Sequence, residues 1–161
     1  MILADLKFIQ VEFGSLPYKD LINFRYSNLR APLNLEWSKA DLESEDKQFH
    51  FAVYLDNEII GCCVLKKIDD SKIRLRQMAV MEKFRGMKVG TYIIKKAEDF
   101  CQKLGIIEIH IIARCYALQF YKKNGYTSYG DTFIDVTLES VKMKKVFNSN
   151  INIYWILHKS L

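Results

Sequence analysis

One short stretch decides the fold: Phe84-Arg85-Gly86-Met87-Lys88-Val89-Gly90-Thr91, residues 84–91, between a predicted strand and an amphipathic helical pattern. The start of a helix leaves backbone N–H groups without intrahelical acceptors, and the helix dipole makes that end partly positive. Gly86 and Gly90 let the backbone approach a ligand, while Arg85 and Lys88 add charge. The stretch therefore predicts a diphosphate-binding site, which we call the seat. The spacing alone also fits an ordinary connection between a strand and a helix.

The segments on either side of this loop predict a parallel crossover. Over residues 89–104 apolar residues recur at helical spacing, and Gly105 stands where a C-terminal cap belongs. The run 72–81 before the loop is rich in strand-forming residues. The run 106–112 after the helix has almost no polar interruption, which is typical of a strand buried on both faces. Residues 72–112 therefore predict a strand–helix–strand unit, right-handed by the general rule.

The N-terminal half predicts two helices and three strands. Strand patterns cover 6–13, 49–55 and 58–67, and Asp56-Asn57 between the last two suits a tight hairpin turn. Ser15 or Leu16 is expected near the cap of a first helix, with Pro17 in its first turn and Pro32 stopping it. Ser38 and Asp41 have the spacing of a capping box, which predicts a second helix over 38–46.

The C-terminal part adds a short helix over 116–124, ended by Gly125, and two strands near 126–134 and 140–147. The whole pattern predicts an α+β fold with a three-layer, α/β/α-like arrangement. Its central sheet is mixed and mostly antiparallel, with one parallel step and flanking helices. Residues 148–161 form an apolar C-terminal extension without an assigned role. It predicts a strand in its first half, buried on its own sheet or in a homodimer.

Composition points to one domain, residues 1–161, with 50% apolar residues, which is enough for a core. No run is long and apolar enough for a transmembrane helix, so we expect no membrane partner. The N-terminal residues lack the basic start of a signal peptide, which favours a cytoplasmic protein. The net charge is +5, and the basic residues that produce it are scattered among acidic ones. We therefore expect no nucleic-acid partner, although the excess favours an anionic cofactor.

The four cysteines, at positions 62, 63, 101 and 115, have no zinc-ligand spacing. Cys62 and Cys63 are adjacent, so they should point to opposite faces of one strand. The pattern indicates reduced structural thiols and no metal site.

Two motifs resemble the GNAT N-acetyltransferase superfamily. Arg85 and Gly90 occupy the first and last positions of its Arg/Gln-x-x-Gly-x-Gly/Ala signature, and Lys88 stands where a glycine is usual. The segment 75–80 is similar to the family's fourth strand. Residues 117–126, Ala-Leu-Gln-Phe-Tyr-Lys-Lys-Asn-Gly-Tyr, match the motif Ala-x-x-Phe-Tyr-x-x-x-Gly-Phe/Tyr. The resemblance covers at least residues 50–145, and residues 23–33 also look like the first helix of some members.

The resemblance implies an enzyme that moves an acetyl group from acetyl-CoA to a primary amine on a small molecule or peptide, with no metal. Tyr121 occupies the position of a general acid that protonates the departing thiolate. Arg114 replaces an asparagine that contacts the cofactor in many relatives; it fits a contact or a solvated helix start equally. The implied cofactor-binding residues are Met78, Ala79, Val80, Arg85, Gly86, Met87, Lys88, Val89, Gly90, Thr91, Arg114 and Ala117.

The general base stays open at this point. Glu36, His50 and Asp135 are candidates, and none is preferred. Arg74 and Arg76 alternate onto one strand face, where they form a solvated face or recruit an acidic substrate. The alternative function is a non-catalytic, acyl-CoA-binding or regulatory module on the same fold.

Overall fold

The computed structural model describes residues 3–147. Its sheet contains seven strands in the order β1-β2-β3-β4-β5-β7-β6. The strands are β1 (Leu6–Val11), β2 (Phe49–Leu55), β3 (Glu58–Lys67), β4 (Lys72–Val80), β5 (Glu108–Arg114), β6 (Thr127–Asp135) and β7 (Leu138–Val146). The helices are α1 (Leu16–Arg25), α2 (Lys39–Glu43), α3 (Val89–Lys103) and α4 (Leu118–Lys123). The strand predicted in the C-terminal extension lies outside the described residues.

The predicted parallel step is confirmed between β4 and β5, and the other strand pairs are antiparallel. The parallel pairing runs from Lys72 opposite Glu108 to Leu75 opposite Ile111 and ends there. Beyond this point β4 still pairs with β3 and β5 still pairs with β7. The two middle strands therefore part, and within residues 3–147 the edge of β4 that faces β5 has no strand partner from Arg76 onwards.

Two apolar clusters cover the two faces of the sheet. On one face α3 and α4 pack on the larger cluster, whose strand residues include Cys63, Leu65, Ile73, Leu75, Ile109, Ile111 and Met143. On the other face α1 packs through Leu21 and Phe24 on Val11, Ala52, Cys62 and Ala79. Cys62 and Cys63 thus lie on opposite faces, as their adjacency predicts. We call the two sides the α3 face and the α1 face.

The predicted caps are confirmed, and two predicted elements are longer than the observed ones. Ser15 caps α1 by accepting from the backbone N–H of Tyr18, and Ser38 and Asp41 form the capping box of α2. α2 covers only residues 39–43 of the predicted 38–46, and β1 ends at Val11 rather than at residue 13.

The chain after α1 does not continue as a regular α-helix to Pro32. Tyr26–Arg30 form a wider π turn, and Ala31–Leu33 form a 3-10 turn that contains Pro32. A proline fits the first positions of such a turn, because its missing N–H has no intrahelical partner there.

β5 differs from its prediction in both position and burial. It begins at Glu108 instead of residue 106, and Ile107 is 41% exposed. Ile109, Ile111 and Ala113 are buried on the α3 face, while the residues between them are only partly covered. The prediction of burial on both faces is wrong because the apolar cluster under α1 is built from β1 to β4 and does not reach β5.

Candidate functional site

The start of α3 presents backbone N–H groups that have no protein acceptor. Tyr92 is the first residue whose N–H is bonded, to the carbonyl oxygen of Lys88 at 3.0 Å, and no side chain caps the helix. Within residues 3–147 the N–H groups of residues 88–91 are therefore unpaired. Because α3 has fifteen residues, its dipole adds partial positive charge at this end. The geometry suits an anionic group.

The loop before α3 reaches this position through two residues in the left-handed backbone region. Gly86 has φ +76° and Lys88 has φ +65°. Glycine adopts this region without strain, whereas a residue with a Cβ pays about 1–2 kcal/mol. Lys88 therefore stands, with strain, at a position whose backbone conformation favours glycine. Its side chain is exposed.

Gly90 and Arg85 make contacts that the sequence did not predict. A Cβ on Gly90 would lie 3.1 Å from the Phe120 ring and 3.4 Å from the Met78 methyl group. The glycine at 90 thus allows α3 to pack closely on α4 and β4, and its predicted role in letting a ligand approach the backbone stays a prediction. The Arg85 Nε–H donates to the carbonyl oxygen of Val80 at 3.1 Å, which holds this guanidinium at the end of β4.

A bulge distorts β4 where it parts from β5. The register with β3 shifts between Cys62 and Val64, and Gln77 on β4 has φ +49°. The Gln77 Oε1 atom is buried without a hydrogen-bond partner in residues 3–147. Strained backbone and bulges are concentrated at functional sites. Gln77 has no role predicted from the sequence, because no local pattern marks a register shift.

The free edge of β4 carries the other predicted cofactor contacts. Met78 and Val80 are half-buried and pack towards the α3 face, and Ala79 is buried on the α1 face. Met87 directly precedes the unpaired N–H groups, Thr91 carries the last of them, and Ala117 lies in the 3-10 turn that joins β5 to α4. These residues lie on the elements that surround the gap between β4 and β5.

Tyr121 lies in α4, on the α3 face of the sheet. Its ring packs edge-on against Phe120 and Tyr126, with centroid distances of 5.0 Å and 6.0 Å. Burial raises the pKa of Tyr121 to about 12. The phenol therefore keeps its proton at neutral pH and is a possible hydrogen-bond and proton donor.

Arg114 ends β5 and is held by protein groups. Its Nη1 donates to the Asp135 carboxylate at 2.8 Å and to the Ser140 hydroxyl at 2.9 Å. These bonds connect β5 with β6 and β7. The Arg114 side chain is therefore not freely solvated. Its contact with a cofactor stays a prediction.

The three candidate bases lie in different surroundings. His50 is 1% exposed, and burial lowers its pKa. The Glu36 carboxylate accepts from the Tyr26 hydroxyl at 2.7 Å, and the Asp135 carboxylate accepts from Arg114. The structure thus does not bring these three together at the gap.

The described residues contain neither a membrane-spanning helix nor a cluster of metal-binding side chains. No helix within residues 3–147 is both long and apolar enough to cross a membrane. The same residues contain no group of three or more His, Cys, Asp or Glu side chains placed to hold a metal ion.

The mixed sheet, the parting of its parallel strands and the uncapped start of α3 together define an acetyltransferase-type fold. The chain belongs to the Acetyltransferase (GNAT) family, whose sequence profile matches residues 17–126. The family resemblance and the fold class predicted from the sequence are both confirmed.

Relatives and solved structures agree with this assignment. The chain is 26% identical over 129 residues to the "Uncharacterized N-acetyltransferase YitI" of Bacillus subtilis, covering 76% of this chain and 87% of that protein. The fold is similar to Escherichia coli ElaA, with a TM-score of 0.76 at 16% identity, covering 87% and 99% of the two chains. It is also similar to a GNAT family acetyltransferase from Elizabethkingia anophelis with acetyl-CoA bound, with a TM-score of 0.68 at 18% identity, covering 89% and 99%.

Proposed function

We propose that the protein transfers an acetyl group from acetyl-CoA to a primary amine by direct attack on the thioester. One observation carries this proposal: unpaired N–H groups at the start of α3 lie beside the free edge of β4. A diphosphate can accept hydrogen bonds from the N–H groups at the start of α3. An extended pantetheine arm can form strand-like hydrogen bonds with the edge of β4. The Elizabethkingia anophelis relative with acetyl-CoA bound supports the choice of cosubstrate.

The residues around the gap fit acetyl-CoA in charge and shape. The N–H groups of residues 88–91 would receive the diphosphate, and the exposed Lys88 and Arg85 side chains would add positive charge. Met78, Ala79 and Val80 would line the pantetheine arm. Gly86, Met87 and Thr91 shape the seat, while Ala117 and Arg114 border the gap from the side of β5.

Acetyl-CoA supplies a thioester carbonyl that an amine nitrogen can attack. The C–N bond forms, the C–S bond breaks, and the sulfur leaves as a thiolate. A backbone N–H near Val80 would polarise the carbonyl oxygen. The Tyr121 hydroxyl would donate its proton to the sulfur, since its raised pKa keeps it protonated. Tyr121 would then recover a proton from water. Water would also take the proton of the attacking amine, because the Glu36 and Asp135 carboxylates are already hydrogen-bonded to protein groups and His50 is buried.

The reaction has a proposed setting as well. The described cysteines are unpaired, and free thiols persist in the reducing cytoplasm, so we place the enzyme there. The acceptor is a small-molecule or peptide amine. We propose that the chain acts as one domain, with a homodimer as the arrangement that would cover an apolar C-terminal extension.

Replacing Tyr121 by phenylalanine tests its role. We expect Tyr121→Phe to lower kcat by about a hundredfold or more, because general acid catalysis typically contributes that much. Coenzyme A affinity, measured by calorimetry, should stay within about twofold, because the ring remains. Tyr54→Phe is the matched control, since Tyr54 lies on β2, two strands away from β4, and should keep wild-type turnover. Wild-type turnover in Tyr121→Phe would rule out the role.

An assay of thiol release distinguishes an enzyme from a non-catalytic acyl-CoA-binding module. Release of the coenzyme A thiol is followed while the protein is mixed with acetyl-CoA and a panel of amines. Amine-dependent thiol release supports the enzyme. Tight coenzyme A binding without thiol release from any amine would support the binding module instead.

A further inference from the structure

A row of basic residues crosses four neighbouring strands on the α1 face. Lys66 of β3 is the register partner of Arg74 in β4, Arg74 is the partner of His110 in β5, and His110 is the partner of Lys144 in β7. Side chains alternate along a strand, and the neighbours of these four residues belong to the core on the α3 face. The row therefore projects away from α3. We call these four residues the basic row.

A cleft of about 490 Å³ lies over the basic row. Its lining includes Lys66, Lys67, Arg74, His110, Tyr129 and Lys142. The volume is in the range of small-molecule sites. The cleft also reaches Ile112, one residue beyond the last β4–β5 pair at Ile111. It therefore begins where the two strands part, on the side of the sheet opposite α3.

Most basic residues of this cleft have no carboxylate partner in residues 3–147. None of the ion pairs found there includes Lys66, Lys67, Arg74 or Lys142. Glu108 neutralises part of the basic row: it contacts His110 Nε2 at 2.9 Å, and this contact and the charge of Lys144 lower its pKa. His110 Nδ1 contacts the Tyr129 hydroxyl at 3.0 Å. Fixed cations without counter-ions around a concave space attract an anion.

Arg76 extends the positive region towards the gap. It follows Arg74 on the same side of β4 and is half-buried. Burial lowers its pKa, the nearby Glu45 opposes this effect, and the neighbouring Arg25, Arg74 and Arg30 lower it further. Crowded, partly desolvated guanidinium groups gain most from an added anion.

We propose that this cleft binds a carboxylate or phosphate group of the acceptor, so that the substrate is a small acidic amine. The inference rests on the proposed function, which places acetyl-CoA at the start of α3. Because β4 and β5 part beyond Leu75 and Ile111, we expect an amine to reach the thioester from the α1 face while its anionic group remains over Arg74. Met78 lies four positions after Arg74, which is about 13 Å along the strand. In the expected substrate, several covalent bonds therefore lie between the amine nitrogen and the anionic group.

Matched pairs of acceptors test the inference kinetically. The pairs are 6-aminohexanoate with its amide and 6-aminohexyl phosphate with 6-aminohexanol, which are long enough to reach from the gap towards Arg74, and they also distinguish carboxylate from phosphate. We expect the acidic member of at least one pair to have a kcat/KM about tenfold or more above the neutral member. Arg74→Gln should bring this ratio close to one, and Arg74→Lys should keep part of it.

Lys95→Gln is the control for these variants. It removes one charge from the exposed side of α3, on the other face of the sheet, and should leave the ratio unchanged. Equal use of acidic and neutral amines by the wild-type protein would overturn the inference. So would an unchanged ratio in Arg74→Gln.

A binding experiment separates failure of the inference from failure of the proposed function. Glutarate or inorganic phosphate is titrated at constant ionic strength while the His110 imidazole resonance is followed, assigned from its loss in His110→Gln. We expect a saturable shift that Arg74→Gln abolishes. If this shift occurs but no amine is acetylated, the anion site stands and the proposed function fails. If amines are acetylated without acidic preference and no shift occurs, the function stands and the inference fails.

Discussion

Lys88 carries a backbone conformation that glycine adopts more easily, with φ +65° immediately before α3. Lys88→Gly and Lys88→Ala both remove the charge, but only glycine removes the strain. We expect Lys88→Gly to be about 1 kcal/mol more stable than Lys88→Ala, because the left-handed penalty of a Cβ exceeds the entropic cost of glycine. Urea unfolding of both variants measures the difference. Equal stabilities would show that the loop relaxes without cost.

Coenzyme A affinity in the same two variants reports on the charge of Lys88. Both should bind coenzyme A more weakly than the wild-type protein, and more so at low salt, because a charge-assisted contact is lost and exposed charges are screened by salt. Calorimetry at two salt concentrations measures this. Unchanged affinity in both variants would remove Lys88 from the proposed seat.

For single residues, the sequence predicted which loop precedes α3 but not which contacts each residue of that loop makes. The charged and small residues of 84–91 indicated an anion seat from local physics alone. The role of Gly90 depends on Phe120, a residue far along the chain, and its close packing is visible only in the structure. The bulge at Gln77 is a property of strand register, which no short pattern encodes.

The position of α3 on the sheet depends on a close contact between Gly61 of β3 and Ile93 of α3. A Cβ on Gly61 would lie 2.8 Å from Ile93 Cδ1 and 3.3 Å from the carbonyl oxygen of Ala79. We expect Gly61→Ala to destabilise the protein by about 1–3 kcal/mol through overpacking. Thermal or urea unfolding measures this loss.

A second substitution identifies the cause of that loss. Ile93→Val removes Cδ1 and alone should cost about 0.5–1.5 kcal/mol. If the clash with Cδ1 is responsible, the double variant should be more stable than the sum of the two single effects predicts. Strict additivity would show that the contact does not hold α3 in place.

Elements were predicted best where the pattern is long and regular. The helix over 89–104 and the hairpin of β2 and β3 are close to the observed bounds. The segment 26–33 was not predicted to leave the α-helix, since Pro32 indicated a stop but not the π turn before it. The burial of β5 was overestimated, because an apolar run does not say which neighbouring elements cover it.

A buried polar network stabilises the α1 face of the whole molecule. Glu45 bonds Arg25 at 2.6 Å and accepts from the Tyr18 hydroxyl at 2.9 Å. The His50 Nε2 atom contacts the Glu45 carbonyl oxygen at 2.9 Å, which requires the tautomer with a proton on Nε2. The network connects α1, the segment after α2 and β2, so its ionisation state affects the global free energy of unfolding.

His50 should make this stability pH-dependent. Burial lowers its folded-state pKa below the unfolded value of about 6.5. Below pH 6.5 the unfolded chain therefore binds more protons than the folded one, and the free energy of unfolding falls as the pH decreases. Urea unfolding between pH 7.5 and 5 should show this decrease, and His50→Gln should have a flatter profile. A wild-type stability that is constant or rises towards pH 5 would contradict this assignment.

At the scale of the molecule, the family followed from two motifs and their spacing, and the mixed sheet with its parallel step followed from the order of the strand and helix patterns. The basic row did not, because Lys66, Arg74, His110 and Lys144 are far apart in the sequence. Their charges look scattered along the chain, and only the register of four strands gathers them. The interpretation of Arg74 and Arg76 as a solvated face was incomplete for the same reason, since both are half-buried.

Calorimetric titration of the folded, full-length protein with coenzyme A and with pantetheine tests the central claim most directly. If the N–H groups that open α3 receive the diphosphate, coenzyme A should bind at least about tenfold more tightly than pantetheine, which lacks it. The difference should shrink as salt is added. Absence of coenzyme A binding, or equal affinity for the two compounds, would contradict the account.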